Sequence, residues 1–218
     1  MVLFCFTGEL GSGKTLSLTF LAWKNWFYRR KPIFANYHLF KIPYAWVDSV
    51  EKMDLMREGF FASDEFWLWV DALESKEKKN RVVTNILLKS RKRGLTYCYT
   101  SQTLEQLNKR VRKVQDFTAY PILNATETIC KCVVFRTGHP STGTYMKTFY
   151  FKTDLFKTFY DHREEVQPIK EIDDNPNNGF VFQEAQDKEP IIFKTWEEAD
   201  KFAENYWKER WRILKGSI

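Results

Sequence analysis

The chain has 218 residues, a formal net charge of +6 and a high aromatic content of 17%. This length suits one α/β domain with a smaller addition, and it is sufficient to bury a full hydrophobic core. No apolar run is long enough to span a bilayer, and the amino-terminal residues do not have the pattern of a secretory signal. We therefore expect a soluble, intracellular protein.

The first predicted strand, residues 2–6, leads through a glycine-rich turn into a helix. The residues from Gly8 to Thr15 satisfy the pattern G-x-x-x-x-G-K-S/T in the strand–turn–helix context that a P-loop requires. Lys14 would supply positive charge to the β- and γ-phosphates, and Thr15 a hydroxyl ligand for Mg²⁺. Backbone N–H groups of the turn and the helix dipole would hold phosphate oxygens. The predicted ATP-binding residues are Gly8, Glu9, Leu10, Gly11, Ser12, Gly13, Lys14, Thr15 and Leu16.

The apolar helix after the P-loop, residues 16–28, is predicted to pack on several sides. It is closed by three basic residues and by Pro32, which cannot continue a helix. A strand at 33–37 and a loop at 41–46 follow. A short helix is expected at 48–57, with Asp48 or Ser49 as its N-cap.

The second informative stretch is an apolar strand, residues 59–63, that ends in Asp64 and Glu65. Such an ending is typical of a Walker B element. Asp64, together with Thr15, would hold Mg²⁺, and Glu65 would orient and deprotonate the attacking water. An acidic pair after apolar residues is a weak motif by itself. Its position after a complete P-loop strengthens the interpretation.

Residues 76–113 hold twelve basic and two acidic side chains, a net charge of +10. A helix is predicted at 75–93, with an apolar stripe of Val82, Val83, Ile86 and Leu87, and a second basic helix at 104–114. A polyanionic partner is the natural interpretation, and a solvated basic surface is the alternative. The candidate nucleic-acid contacts are Lys78, Lys79, Arg81, Lys109, Arg110, Arg112 and Lys113.

The strand at 95–102 ends in Thr-Ser-Gln, at the edge where α/β sheets bind ligands. Further strands are predicted at 119–123, 128–136 and 145–152, of which the last two form a hairpin. A polar break at 173–179 suggests a division into an ATPase core (1–172) and a C-terminal appendage (173–218) that ends in a helix at 196–214.

The four cysteines do not have the spacing of a disulfide framework or of a zinc site. Cys5 and Cys98 lie in predicted buried strands, where a reduced cysteine behaves as a small hydrophobic residue. Cys130 and Cys132 are separated by one residue and lack a second pair of ligands. No metal site is expected at the cysteines.

The order of these motifs resembles the FtsK–HerA group of P-loop motor ATPases. The pattern consists of the P-loop, a strand with Asn36, the strand that ends at Asp64–Glu65, Arg93–Gly94 and the strand that ends in Gln102. Within the group, the chain is similar to the genome-packaging ATPases of double-stranded DNA viruses with internal membranes and of archaeal viruses. It is also similar to the Zot-like assembly ATPases of filamentous phages. The resemblance covers residues 1–165, and only the P-loop is specific alone.

The resemblance implies a RecA-like α/β fold of the additional-strand catalytic-glutamate type. A five-stranded, mostly parallel core would be flanked by helices and followed by a β-hairpin and a small helical tail. The strand of Gln102 would insert beside the P-loop strand, which makes Cys5 and Cys98 neighbours. Gln102 would sense the γ-phosphate or the attacking water. Arg91 or Arg93 would reach into a neighbouring subunit's site, with phosphate contact or solvation as the alternative for both.

The resulting prediction is an ATP- and Mg²⁺-dependent motor that translocates double-stranded DNA during viral genome packaging. It would form a homo-oligomeric ring of five or six subunits in the host cytoplasm or at the virion, with a capsid vertex protein as a candidate partner. The alternative is a Zot-like ATPase for virion assembly or export, which usually has a membrane segment after the ATPase domain. A small-molecule P-loop kinase is a third possibility. A nucleotide-binding protein without hydrolysis is the fourth, although it would have no use for Glu65.

Overall fold

The computed structural model describes residues 2–70, 78–137, 143–170 and 179–216. Its strands are β1 (Leu3–Thr7), β2 (Ile33–Ala35), β3 (Tyr44–Trp46), β4 (Phe60–Ser63), β5 (Thr96–Ser101), β6 (Phe117–Leu123), β7 (Ile129–Arg136), β8 (Thr144–Lys152), β9 (Phe180–Phe182) and β10 (Ile191–Phe193). Its helices are α1 (Lys14–Arg29), α2 (Val50–Leu55), α3 (Lys78–Lys89), α4 (Lys109–Val114) and α5 (Trp196–Gly216).

The strands form a ten-stranded sheet in the order β10-β9-β3-β2-β4-β5-β1-β6-β7-β8. The six neighbouring strands from β3 to β6 are parallel, and antiparallel strands extend the sheet on both sides. This confirms the predicted α/β fold with a mostly parallel central sheet. The sheet is larger than the five strands that the resemblance implies.

Strand β5 lies between the P-loop strand β1 and the strand β4 that leads to Asp64. Phe4 pairs with Cys98, and Cys5 pairs with Tyr99, so the two cysteines lie on adjacent strands as predicted. Their side chains enter opposite faces of the sheet. The inserted strand is the one that carries Gln102 to the edge occupied by the P-loop.

Helices cover both faces of the central strands, which explains their nearly continuous apolar sequences. On one face, α1 buries Leu18, Ala22 and Trp26 against β-strand residues that include Phe6 and Ala62. On the other face, residues of α2, α3 and α4 pack against the alternate strand positions, among them Cys5 and Phe61. The predicted stripe of α3 is mostly buried, but Val82 is exposed.

Local differences from the predicted elements arise from tertiary contacts. Residues 44–46, predicted as loop, form β3 parallel to β2, so that prediction was wrong. Three residues beside Pro43 are too short a run to show a strand period. The predicted helix at 104–114 is a 3-10 turn followed by α4, for which Asn108 is the N-cap. Ser49 caps α2 by accepting from the Lys52 N–H.

The C-terminal segment continues the same sheet, because β9 pairs antiparallel with β3. Helix α5 is tied to the end of α1. The Trp26 indole donates to Asp200 at 2.7 Å, and the Trp196 indole donates to the Arg30 carbonyl at 3.3 Å. The predicted division at residue 173 lies outside the described residues and stays a prediction. No helix in the described ranges is long and apolar enough to cross a membrane.

Candidate nucleotide-binding site

The carboxyl ends of β1, β4 and β5 meet at one edge of the sheet and form a cavity of about 640 Å³. Backbone contacts join the P-loop to the end of β5, since the Gly8 N–H donates to the Gln102 carbonyl at 3.3 Å. The hydroxyl of Thr7 donates to the same carbonyl at 3.0 Å. Among the predicted residues, the cavity is lined by Leu10, Gly11, Gly13, Lys14, Thr15, Leu16, Asp64, Glu65 and Gln102.

The P-loop itself runs through the predicted residues Gly8 to Gly13, and within it the Ser12 N–H donates to the Glu9 carbonyl at 3.3 Å. Gly13 has a φ of +93°, and a Cβ there would lie 3.2 Å from Cγ of Leu123 in β6. The left-handed backbone therefore favours glycine at this position, and a Cβ would also be crowded by the Leu123 side chain of β6.

Lys14 lies inside the turn, where Nζ donates to the carbonyls of Gly8 at 3.0 Å and Glu9 at 2.8 Å. Burial lowers the pKa of Lys14, while the charges of Asp64 and Glu65 act in the opposite direction. The ammonium group thus stands at the mouth of the loop on a flexible stem. It can exchange these two carbonyls for phosphate oxygens.

Thr15, Asp64 and Thr100 form one hydrogen-bonded group across α1, β4 and β5. The Thr15 hydroxyl lies 3.0 Å from each carboxylate oxygen of Asp64, and the Thr100 hydroxyl donates to Oδ1 at 2.6 Å. Burial raises the pKa of Asp64, and the hydrogen bonds from Thr100 and Thr15 oppose that rise. Hydroxyl and carboxylate oxygens are the hard donors that Mg²⁺ prefers, so Thr15 and Asp64 suit the predicted metal. Within the described residues, no group of three or more His, Cys, Asp or Glu is arranged to hold a metal ion.

Asn36, at the end of β2, fixes the backbone of Asp64. Its Nδ2 donates to the Asp64 carbonyl at 2.9 Å, and its Oδ1 accepts from the Asp64 N–H at 2.7 Å. The next residue, Glu65, has a φ of +43°, which is costly for a residue with a Cβ. Its N–H donates to the Thr100 hydroxyl at 2.8 Å. Burial, and then the charge of Asp64, raise the pKa of Glu65.

Two of these positioning residues, Asn36 and Thr100, were not among the predicted site residues. The sequence nevertheless pointed to both residues. Asn36 ends a predicted strand in the ordered set of motifs, and Thr100 belongs to the polar end of β5. Their contacts to the backbone and carboxylate of Asp64 depend on strand order, which the sequence alone does not show.

A segment after β8 also reaches the site. The sequence 155–166 resembles a stretch that closes the core in the ATPases that the order of motifs indicates, and only a packing role was expected for it. Lys157, Tyr160, His162 and Glu164 line the cavity opposite the P-loop. Glu164 accepts from the backbone N–H of His38 at 2.7 Å and contacts its Nδ1 at 2.7 Å. This hydrogen bond raises the pKa of His38. The segment is thereby tied to the loop that follows β2 and Asn36.

The candidate arginine finger lies far from this edge. Arg93 precedes β5, at the amino end of the strands, and its guanidinium donates to the backbone carbonyl of Asp54 at 2.9 Å. It also pairs with the Asp54 carboxylate. Arg93 therefore does not enter the nucleotide cavity of its own chain. The side chain of Arg91 lies outside the described residues.

The predicted nucleic-acid contacts lie on α3 and α4, which pack together on the face of the sheet opposite α1. Arg81, Lys109, Arg110 and Lys113 are exposed. Arg112 is half-buried, and its buried Nε has no hydrogen-bond partner among the described residues. The side chains of Lys78 and Lys79 lie outside the described residues.

Together the glycine turn, Lys14 and the Thr15–Asp64 pair make a P-loop nucleotide-binding site. No protein-family model matches this chain, and no curated protein matches it. Solved structures similar to it include the N-terminal domain of zonular occludens toxin from Neisseria meningitidis, with 14% identity, TM-score 0.48, and coverage of 74% of this chain and 100% of that one.

A second similar structure is the genome packaging NTPase B204 of Sulfolobus turreted icosahedral virus 2, in complex with ATP-gammaS. It has 13% identity, TM-score 0.47, and coverage of 67% of this chain and 97% of that one. The DNA-packaging ATPase B204 of Sulfolobus turreted icosahedral virus is also similar. It has 11% identity, TM-score 0.45, and coverage of 66% of this chain and 96% of that one. Both kinds of protein match the resemblance that the order of motifs indicates.

Proposed function

We propose that this chain is an Mg²⁺-dependent ATPase that translocates double-stranded DNA, with viral genome packaging as its role. The observation that carries the enzymatic part is the hydrogen-bonded, partly buried group of Thr15, Asp64 and Thr100 beside the P-loop lysine, with Glu65 next to it. A protein that only binds nucleotide would not need a second carboxylate in the cavity.

In the proposed reaction, water attacks the γ-phosphorus of ATP. Its proton passes to the Glu65 carboxylate, the new P–O bond forms, and the bond to the ADP oxygen breaks. Lys14 turns from the loop carbonyls to the phosphates and stabilises charge on them. Thr15 and Asp64 would hold Mg²⁺, which would supply positive charge to the phosphate oxygens. Gln102, which lines the same cavity, contacts the γ-phosphate or the attacking water.

The translocation part of the proposal is supported by the exposed basic side chains of α3 and α4. The two helices pack together on one face of the sheet, and their exposed basic side chains suit contact with a phosphate backbone. Such contacts do not depend on base sequence and weaken as salt is added. Because Arg93 stands at the edge opposite its own P-loop, any nucleotide contact it makes belongs to a neighbouring subunit. The proposed assembly is therefore a ring, to which we assign five or six subunits.

The test is steady-state phosphate release from ATP, with and without long double-stranded DNA. We expect DNA to increase the rate, and we expect Lys14→Ala, Glu65→Gln and chelation of Mg²⁺ each to abolish it. Lys24→Ala, an exposed lysine on α1, is the matched control and keeps the wild-type rate.

The outcomes separate the parts of the proposal. Release that DNA does not change would refute the translocase and favour the assembly ATPase. Phosphate transfer to an added small molecule would show a kinase. Activity that survives Glu65→Gln unchanged would refute the assignment of the base.

A further inference from the structure

An exposed apolar surface lies beyond the P-loop strand, on strands β6, β7 and β8. The opposite surface of these strands is covered by α1, where the Ser17 hydroxyl contacts the sulfurs of Cys130 and Cys132 at 3.4 and 3.3 Å and the Phe20 ring stacks on Phe151 at 4.2 Å. The exposed surface faces the side of the sheet that carries α3 and α4. This follows from the pairing of β6 with β1, because Thr118 pairs with Cys5, whose side chain packs with those helices.

We call this surface the β6–β8 face. Its exposed or half-buried members include Tyr120, Ile122, Lys131, Phe135, Tyr145 and Tyr150. Lys131 pairs with Ile122 on one side and with Tyr150 on the other, so the three form one row across the strands. Tyr145 is 57% exposed and Tyr150 is 62% exposed. Aromatic rings thus stand open to solvent on rigid strands.

The Phe135 ring links the remaining aromatics of the β6–β8 face. It lies 5.8 Å from Tyr120 and 6.2 Å from Tyr145, edge to face in both cases. The rings therefore stand in a fixed arrangement on the sheet.

The charge of these strands narrows the choice of partner. Their sequences, FTAYPIL, ICKCVVFR and TYMKTFYFK, contain no Asp or Glu. Of their four basic residues, Lys131 and Lys152 lie on the β6–β8 face, whereas Arg136 and Lys147 alternate onto the surface that α1 covers. A second copy that docked through the same face would bury Lys131 against strands without acidic residues, and an unpaired buried charge is strongly destabilising. A suitable partner therefore has flat aromatic groups that stack on the exposed rings and negative charge that pairs with Lys131.

We propose that the β6–β8 face binds single-stranded nucleic acid, with bases stacked on its tyrosines and phosphates near Lys131. A duplex hides its base faces, whereas unpaired bases stack readily on exposed aromatic rings. The inference rests on the proposed function, in which the basic side chains of α4 contact nucleic acid. The β6–β8 face lies on the same side of the sheet as α4. The motor would thus hold an unpaired segment of the nucleic acid on which it acts.

The experiment measures binding of the full chain to a labelled oligothymidylate and to a blunt duplex of equal length, by fluorescence anisotropy at several salt concentrations. Loss of one stacked base predicts that Tyr150→Ala weakens oligothymidylate binding about 5- to 150-fold. Tyr150→Phe keeps the ring and keeps the affinity. Tyr28→Ala, a tyrosine of α1 that is 68% exposed, is the matched control and binds like wild type. Lys131→Gln lowers the salt slope by about 0.7.

The same preparations are tested for phosphate release and by sedimentation. Equal oligothymidylate affinities of wild type and Tyr150→Ala would overturn the inference, and DNA-stimulated phosphate release in that case would leave the proposed function standing. Dissociation of an oligomer by Tyr150→Ala would also overturn it, because the face would then be a subunit contact. In a third outcome, duplex DNA does not increase phosphate release, but wild type binds oligothymidylate and Tyr150→Ala weakens that binding as predicted. This result would refute duplex translocation and support binding of single strands at the β6–β8 face.

Discussion

Replacement of Asn36 by alanine removes the side chain that fixes the turn carrying Asp64 and Glu65. Asn36 is buried and makes one hydrogen bond to the Asp64 carbonyl, at 2.9 Å, and one from the Asp64 N–H, at 2.7 Å. A buried backbone group left without a partner costs about 1–3 kcal/mol. For the two groups we expect Asn36→Ala to lower the free energy of unfolding by about 2–4 kcal/mol, allowing for water that enters the space.

The same change acts on hydrolysis more than on nucleotide binding. Asp64 and Glu65 would lose the contact that orients them, whereas the P-loop would keep its own. Since displacement of a catalytic group by about 1 Å can cost on the order of 100-fold in rate, we expect kcat to fall at least about 10-fold with little change in KM. Urea unfolding and steady-state phosphate release measure the two effects.

Asn25→Ala is the matched control. Asn25 makes one side-chain bond, to the Leu21 carbonyl at 2.9 Å, within the partly exposed surface of α1. Its replacement should change the free energy of unfolding by less than about 0.5 kcal/mol and leave kcat unchanged. If Asn36→Ala behaves like this control in both assays, the positioning role is refuted.

Three further outcomes are expected. Gly13→Ala should lose more stability and nucleotide affinity than Gly11→Ala. Both glycines have a positive φ, but only Gly13 is also crowded by β6. Equal losses of unfolding free energy in urea and of nucleotide affinity in titration calorimetry would contradict this. Arg93→Ala should stop hydrolysis in the assembled protein. Asp54→Asn, which breaks the same ion pair but keeps the guanidinium, should not stop it. Equal phosphate-release rates of the two variants would mean that the ion pair is purely structural. The pKa of His38 is raised above its ordinary value of 6.5, so the stability that its imidazolium contributes is present below that value and lost as the pH rises through the raised pKa. Unfolding of wild type and His38→Gln from mildly acidic to mildly alkaline pH should converge at the alkaline end, and a difference that grows with pH would refute the assignment.

Much of the site is local in sequence and could be predicted for that reason. The turn from Gly8 to Thr15 is one contiguous segment whose residue types suffice to define a phosphate-binding loop, and the structure places it between a strand and a helix as predicted. The long apolar strands and the hairpin of β7 and β8 also follow from local patterns. Their boundaries differ from the predicted ones by a few residues at most.

The other contacts depend on which strands become neighbours. Thr100 reaches the Asp64 carboxylate because β5 inserts beside β4, and Asn36 reaches the Asp64 backbone because β2 lies on the other side of β4. Strand β3 has only three residues, and it is held by pairing with β2 and β9. Its sequence carries no period that would reveal it.

Three features follow from the amino-acid sequence alone: the P-loop, the acidic pair after a buried strand and the excess of basic residues on the middle helices. Three features depend on the folded arrangement. Arg93 points away from its own nucleotide cavity, Lys157, Tyr160, His162 and Glu164 line that cavity, and no described helix covers the β6–β8 face. The periodicity of a sequence indicates which side chains avoid water. It does not report which distant segment covers them, and here α3 and α4 cover the central strands but not the outer face of β6 to β8.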